Sequence, residues 1–217
     1  MEIRTFTGPG FGENAHLAVC TEQGVCVAVD PGAGAPMLLR YVESQGLSLQ
    51  AVWLTHAHLD HIEGVNEVRA QVPDVPIWLH PADLGLYRGV QRQAAMFGLH
   101  AEPQPEPTHE IAPGSDMSFG SCRFEVRFTP GHAPGHVVFV APEHGLALVG
   151  DVVFQGSIGR TDLPGGDFHT LMKSIRAEIL TLPDAMVLYP GHGPETTVGV
   201  ERRGNPFLAP QYGGELA

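Results

Sequence analysis

The sequence predicts an α/β fold of stacked layers, and three observations carry that prediction. A chain of 217 residues with 43% hydrophobic side chains can close one sizeable core. Short, unalternating apolar runs recur along it, as expected of strands buried on both faces. Amphipathic helical stretches lie between those runs, and helices are what cover sheets whose outer faces need burial.

Taken in order, the first clear strand is Val25 to Val29, which leaves through VDPG at 29–32 into a tight turn. Pro36 to Gln45 places Leu38, Leu39, Tyr41 and Val42 within two turns and stops before Gly46, so it reads as a helix. AVWLT, 51–55, is a strand running into His56, and Ile62, Val65 and Val68 then repeat at a spacing of three, as on a helix. A short strand follows at Ile77 to Leu79. The Pro-rich piece HAEPQPEPTHEIAPG, 100–114, is a solvated loop, long for a compact domain, and so expected either to flank a cleft or to cross between two halves. RFEVRFTPG runs into His132, Val137 to Val140 makes another strand, LALVG runs into Asp151, and MVLYPG runs into His192. The helix FHTLMKSIRAEIL, 168–180, has Asp167 at its N-cap and one apolar stripe of Leu171, Met172, Ile175, Ile179 and Leu180.

Four of these strands end in a histidine or aspartate just past a Gly, Pro or Thr. The first residue beyond a buried strand is the first to escape the core, so four strand ends can point polar groups into one cleft.

Charge and composition exclude some functions. A net charge of −12, from 12 basic and 24 acidic residues, opposes a nucleic-acid binder, whose affinity comes mostly from Lys and Arg. No apolar run approaches the roughly 20 residues that span a bilayer, and the start lacks a basic leader followed by an apolar block, so a cytoplasmic protein without membrane contact is expected. Cys20, Cys26 and Cys122 form no CxxC pair and sit in or beside apolar runs, as buried free thiols do.

The chemistry concentrates in THAHLDH, 55–61. His56 and His58 are two apart, so on extended backbone both imidazoles fall on one side and can chelate one ion. Asp60 and His61 follow as a helix begins, point elsewhere, and could hold a second ion nearby. Imidazole with carboxylate suits Zn²⁺, and also Fe or Mn, and the lack of thiolates argues against a structural Cys-type zinc site. Crowding these groups without an ion would strand several polar side chains. The separate histidines His16, His80, His100, His109, His144 and His169 read as ordinary polar residues.

THAHLDH, then TPGH ending at His132, GD ending at Asp151 and PGH ending at His192 together resemble the metallo-β-lactamase superfamily, over residues 14 to about 208. The resemblance implies a four-layer αββα sandwich, one domain over 1–217, with metals at one edge between the sheets. It assigns His56, His58 and His132 to one metal and Asp60, His61 and His192 to the other, with Asp151 bridging. The stretch TPGHAPGH holds a second candidate, His136, for which an orienting role behind the ligands is the alternative. Asp60, Asp151 and a metal-bound hydroxide are then the catalytic groups, with two divalent ions, zinc first and iron or manganese as alternatives, lowering the pKa of water toward about 7.

SIGRTDLPGGD, 157–167, and GHGPETTVGVERRGNPFL, 191–208, are similar to the glyoxalase II-like branch of short hydrolases. That likeness implies hydrolysis of S-(2-hydroxyacyl)glutathione, or of a related small-molecule thioester, since a thiolate with pKa near about 8.5 leaves without a dedicated acid. Full-length glyoxalase II enzymes carry a helical C-terminal domain that contacts glutathione, and this chain is expected to lack one. Arg160 is the candidate substrate-binding cation; Arg202 and Arg203 read as helix-end or surface charge, Asp162 as a turn or salt-bridge residue, and Asp30 and Asn14 as turn formers. Two alternatives stand beside the hydrolase: a mononuclear iron persulfide dioxygenase acting on glutathione persulfide, and a non-catalytic metal-binding module.

Overall fold

The computed structural model describes residues 1–112 and 114–208, so the last nine residues of the expected domain lie outside the described part. Two six-stranded sheets form the centre. The first holds β1 (Glu2–Thr7), β2 (Asn14–Cys20), β3 (Val25–Val29), β4 (Ser48–Trp53), β5 (Ile77–Leu79) and β6 (His109–Glu110), in that order. Its first three strands pair antiparallel, and β3 to β6 run parallel. The second sheet comprises β7 (Asp116–Phe119), β8 (Cys122–Phe128), β9 (Val137–Ala141), β10 (Leu146–Gly150), β13 (Val187–Pro190) and β14 (Thr196–Thr197). It is ordered β14-β13-β10-β9-β8-β7, with β10 and β13 its parallel pair. A separate short ribbon, β11 (Val153–Phe154) paired antiparallel with β12 (Ser157–Ile158), follows β10 in the chain.

Strand periodicity explains the layering. On β3, Cys26 and Ala28 face one apolar cluster and Val27 and Val29 the other; on β10, Leu146 and Leu148 face inward while Ala147 and Val149 face out. The clusters are three, and three buried interfaces require four layers. Leu38 and Val42 of α1 (Ala35–Ser44), with Val65 and Val68 of α3 (Val65–Gln71), cover the first sheet. Trp53 fills the space between the sheets, its ring centroid 5.3 Å from those of both Phe124 and Phe139. Leu171 and Met172 of α6 (Phe168–Ser174), continued by Ile175, cover the second sheet. The αββα sandwich expected from the resemblance is the observed fold, and all three cysteines are buried and free.

Asp167 caps α6 as expected, its carboxylate accepting the Thr170 N–H at 2.7 Å. The helix nevertheless widens after Ser174, where Leu180 N–H reaches back to the Ile175 carbonyl at 2.9 Å, a five-residue closure. Side chains satisfy carbonyls at and just beyond the helix end: Arg127 donates to Glu178 O, and Arg202 to Leu180 O and Leu182 O. Arg202 therefore serves a helix end, and Arg203 pairs with Asp184. The spacing of Ile62, Val65 and Val68 belongs to two short helices, α2 (Leu59–Ile62) and α3, separated at Gly64. A Cβ at Gly64 would strike the Pro31 and Gly32 carbonyls, so the chain bends there to pack against the β3 turn. The 100–114 segment is the crossover between sheets and contains β6; Pro113 lies outside the described residues. Pro105 O accepts the Tyr87 hydroxyl at 2.6 Å, which holds this segment against the neighbouring helices.

Candidate metal centre

The strand ends converge. β4 delivers His56 and His58, the loop after β8 delivers His132, β10 ends at Gly150 before Asp151, and β13 leads to His192. His132 Nε2 lies 3.2 Å from His56 Nε2 and 2.8 Å from His58 Nδ1, so three imidazole nitrogens face one point. Beside it, Asp60, His61 and His192 form a second group, with Asp60 Oδ2 3.1 Å from His192 Nε2 and 3.9 Å from His61 Nε2. Asp151 spans the two: Oδ1 is 3.3 Å from His61 Nε2, while Oδ2 is 3.5 Å from His132 Nε2 and 3.6 Å from His192 Nε2. All seven residues named from the sequence are brought together.

Hydrogen bonds behind the cluster fix which nitrogen faces it. Asp30 accepts the Thr55 N–H at 2.7 Å and the Thr55 hydroxyl at 2.6 Å, and it accepts His61 Nδ1–H at 3.1 Å. Because the Thr55 hydroxyl donates to Asp30, it accepts from His56 Nδ1–H at 3.0 Å. His132 Nδ1–H donates to the Arg160 carbonyl at 2.7 Å. On all three rings Nδ1 is engaged outward, which leaves Nε2 facing into the site. His61 Nε2 and Asp151 Oδ1 are buried with no hydrogen-bond partner. Converging lone pairs and an orphaned carboxylate oxygen are costly to bury unless a cation sits among them, so the donor set fits metal binding.

Protonation gives the same answer. Burial depresses His56 and His136 well below the ordinary imidazole value, and His58 to about 3, with neighbouring imidazoles adding to the effect. His61 differs: burial pushes it down, but Asp151 and Asp60 outweigh that and raise it well above the ordinary value. Asp151 is buried and still held low by the charge of His61, with His132 and His192 adding to it. The pocket attracts positive charge, which a proton on His61 supplies when no cation does.

His136 is turned away from this role. Its Nε2 accepts the Asp151 N–H at 3.1 Å and its Nδ1–H donates to Thr129 at 3.0 Å, so both ring nitrogens are engaged. It orients Asp151 and stacks against His56 at 4.8 Å. Two glycines make room for such close approach. Gly150 adopts φ 47°, and a Cβ there would lie 2.5 Å from Thr55 Oγ1 and 2.8 Å from His136 Nε2. At Gly191 a Cβ would run into Asp151 Oδ1 and the His61 ring.

Turn chemistry alone undervalues Asp30 and Asn14. Asp30, at φ 49°, is the one non-glycine residue with positive φ among those described, and this places its carboxylate under His61. Asn14 donates to Pro190 O at 3.1 Å and to Gly193 O at 2.8 Å, holding the loop that carries His192. Asp83, Gln93 and Glu13 carried no signal in the sequence that separates them from ordinary polar residues. Asp83 ties the two histidine loops together by accepting the Ala57 and Gly135 N–H groups, and burial lifts its carboxyl to about 6. Gln93 accepts the Leu59 N–H at 3.1 Å and donates to Ala57 O at 2.9 Å. Glu13 is fully enclosed beside Gly32 with neither oxygen hydrogen-bonded, and burial raises it well above the usual carboxylate range.

A cleft of about 290 Å³ opens over this floor, walled by Phe11, Leu59, Phe97, Phe154 and Ile158. Arg160 lines it, its guanidinium held by Asp162 through two 2.7 Å bonds. No helix of the described residues is long and apolar enough to cross a membrane.

The sequence model of the metallo-β-lactamase superfamily matches residues 8–192. Hydroxyacylglutathione hydrolase GloC of Haemophilus influenzae is 37% identical over 210 residues, covering 96% of this chain and 98% of that protein. Among solved structures, BLEG-1 B3 metallo-β-lactamase superimposes with a TM-score of 0.89 at 33% identity, covering 95% of this chain and 99% of its own. TTHA1623 in a di-iron-bound form does so with a TM-score of 0.84 at 42% identity, covering 94% and 98%.

Proposed function

The chain belongs to the metallo-β-lactamase superfamily, and we propose that within it this protein is a thioester hydrolase of the hydroxyacylglutathione type that works with two divalent cations. His56, His58 and His132 hold the first, Asp60, His61 and His192 the second, and Asp151 stands between them. The observation that carries this reading is the placement of Asp151 at the floor of an open cleft, with Oδ1 toward His61 and Oδ2 between His132 of the first group and His192 of the second. Zinc suits this donor set, and the di-iron form of TTHA1623 keeps iron beside it.

Bound there, the cations would bring the pKa of a water molecule toward about 7 and polarise an acyl carbonyl. The chain's own part is orientation. Asp30, through His61 directly and through Thr55 to His56, fixes two rings, and the Arg160 carbonyl fixes a third. Asp60 and Asp151 border the cleft and can accept a hydrogen bond from a water above the floor, directing it at the acyl carbon. The apolar walls exclude competing solvent. A thiolate with pKa near about 8.5 departs unassisted, so no further acid is required. The GloC relative supports a glutathione thioester as substrate through its name.

Two features weigh against the alternatives. A persulfide dioxygenase with a single iron leaves Asp60, His61 and His192 without a purpose. A purely structural site would be closed, whereas Asp60 and His192 border an open cleft. The test is to reconstitute the protein separately with Zn²⁺, Fe²⁺ and Mn²⁺ and to assay S-D-lactoylglutathione hydrolysis beside oxygen uptake with glutathione persulfide. Metal-dependent thioester turnover without oxygen uptake is expected; oxygen uptake without thioester turnover would overturn the reading.

A further inference from the structure

The metal cleft has a second branch. It leaves beside His58, shares Gln93, Phe97 and Leu163 with the main cleft, and runs between the helices α4 (Leu84–Arg88) and α5 (Val90–Met96) and the turn at Leu163–Pro164. Its volume is about 110 Å³, where a single water needs about 10–15 Å³, so it accommodates several heavy atoms. Leu86, Met96, Phe97, Leu163 and Pro164 give it apolar walls, and Arg92 is the one cation that lines it among the described residues. Met96 and Phe97 are 56% and 44% exposed, although large apolar side chains at a cleft rim gain little by facing water. Phe97 also meets Phe11 edge-on at 5.3 Å, which closes the apolar rim over the metal floor.

We propose that this branch receives the acyl arm of the thioester and that the protein selects apolar acyl groups longer than lactoyl. The inference rests on the thioesterase reading and adds the substrate class to it. Glutathione carries two carboxylates and an ammonium group, which an apolar enclosure with one arginine does not match. A lactoyl group is short and hydroxylated and leaves the branch unfilled. An unbranched aliphatic chain fills it, and each methylene taken from water is worth roughly a fourfold gain in binding.

Gly85 supplies the test. It lines the branch, belongs to a helix, and a Cβ built on it meets nothing within 4 Å, so a side chain there grows into open space. Gly85→Leu also favours the helix. Glutathione thioesters of acetate, butyrate and hexanoate are compared with S-D-lactoylglutathione on the zinc-loaded enzyme. The expected result is a kcat/KM that climbs with chain length in the wild type, by roughly fourfold per buried methylene, and a flat series in Gly85→Leu. A flat series in the wild type, with short thioesters turned over, overturns the inference and leaves the hydrolase reading intact. If no thioester is hydrolysed, that reading fails, and the branch is then judged by calorimetry with S-hexylglutathione against S-methylglutathione. Tenfold or tighter binding of the hexyl compound, lost in Gly85→Leu, supports the branch; equal binding of the two overturns it.

Discussion

Asp30→Asn is the sharpest probe of how the cluster is held. Asparagine has nearly the same shape and tolerates the left-handed backbone that residue 30 adopts, so the turn survives. The carboxylate accepts three bonds, from the Thr55 N–H and hydroxyl and from His61 Nδ1–H. An amide has one acceptor oxygen and carries no charge, so at least one buried donor is left facing another. Hydrogen bonds to a charged group are worth about 1.5–3 kcal/mol, and losing a partner behind a metal ligand costs about 10–100-fold in metal affinity. That range corresponds to about 1.4–2.7 kcal/mol, so the two routes agree. The assay is competition against a chromophoric chelator that resolves two binding steps, with circular dichroism to confirm the fold. The step involving His61 should weaken by about 10–100-fold. Unchanged affinity at both steps in a folded variant would refute the orienting role.

Gly191→Ala should abolish one metal-binding step and hydrolysis together, because the added methyl collides with Asp151 Oδ1 and the His61 ring; metal titration that still shows two steps would contradict this. Acid should destabilise the fold through His16, which is buried between the Thr5 hydroxyl and the Pro190 carbonyl and whose pKa burial lowers to about 4. Between about pH 6.5 and 4 the unfolded chain binds a proton that the folded chain does not, so stability falls as pH falls, by up to about 3 kcal/mol. Unfolding free energies from urea titrations of the wild type and His16→Gln, which keeps a donor for Pro190 O, should therefore converge by that amount from pH 7 to pH 4; a constant gap would remove His16 from the account.

The seven cluster residues were legible because His56, His132, Asp151 and His192 each follow an apolar run, whose buried strand leaves its next residue at the core's edge, and because His58, Asp60 and His61 crowd into the same short stretch as His56. Asp30 obeys the same rule at the end of β3, yet VDPG also spells a turn, and the turn explanation hid the second role. His132 and His136 cannot be told apart by spacing in TPGHAPGH; the difference lies in hydrogen bonds to Thr129 and to the Asp151 amide, which only the folded chain creates. The α4 and α5 helices span five and seven residues, too short for a clear period, so the wall of the second branch was invisible in the sequence. The 168–180 stripe gave the right face of the helix, but the carbonyls at its widened end are met by Arg127 and Arg202, which arrive from distant segments.

Metal stoichiometry tests the central claim most directly. Wild-type protein and His192→Ala, each supplemented with zinc, desalted and measured by elemental analysis, should contain two and one equivalents, with His58→Ala losing the other ion and turnover as well. A wild type that stays empty, or a His192→Ala variant that keeps the full complement, would contradict an account in which seven side chains hold two cations.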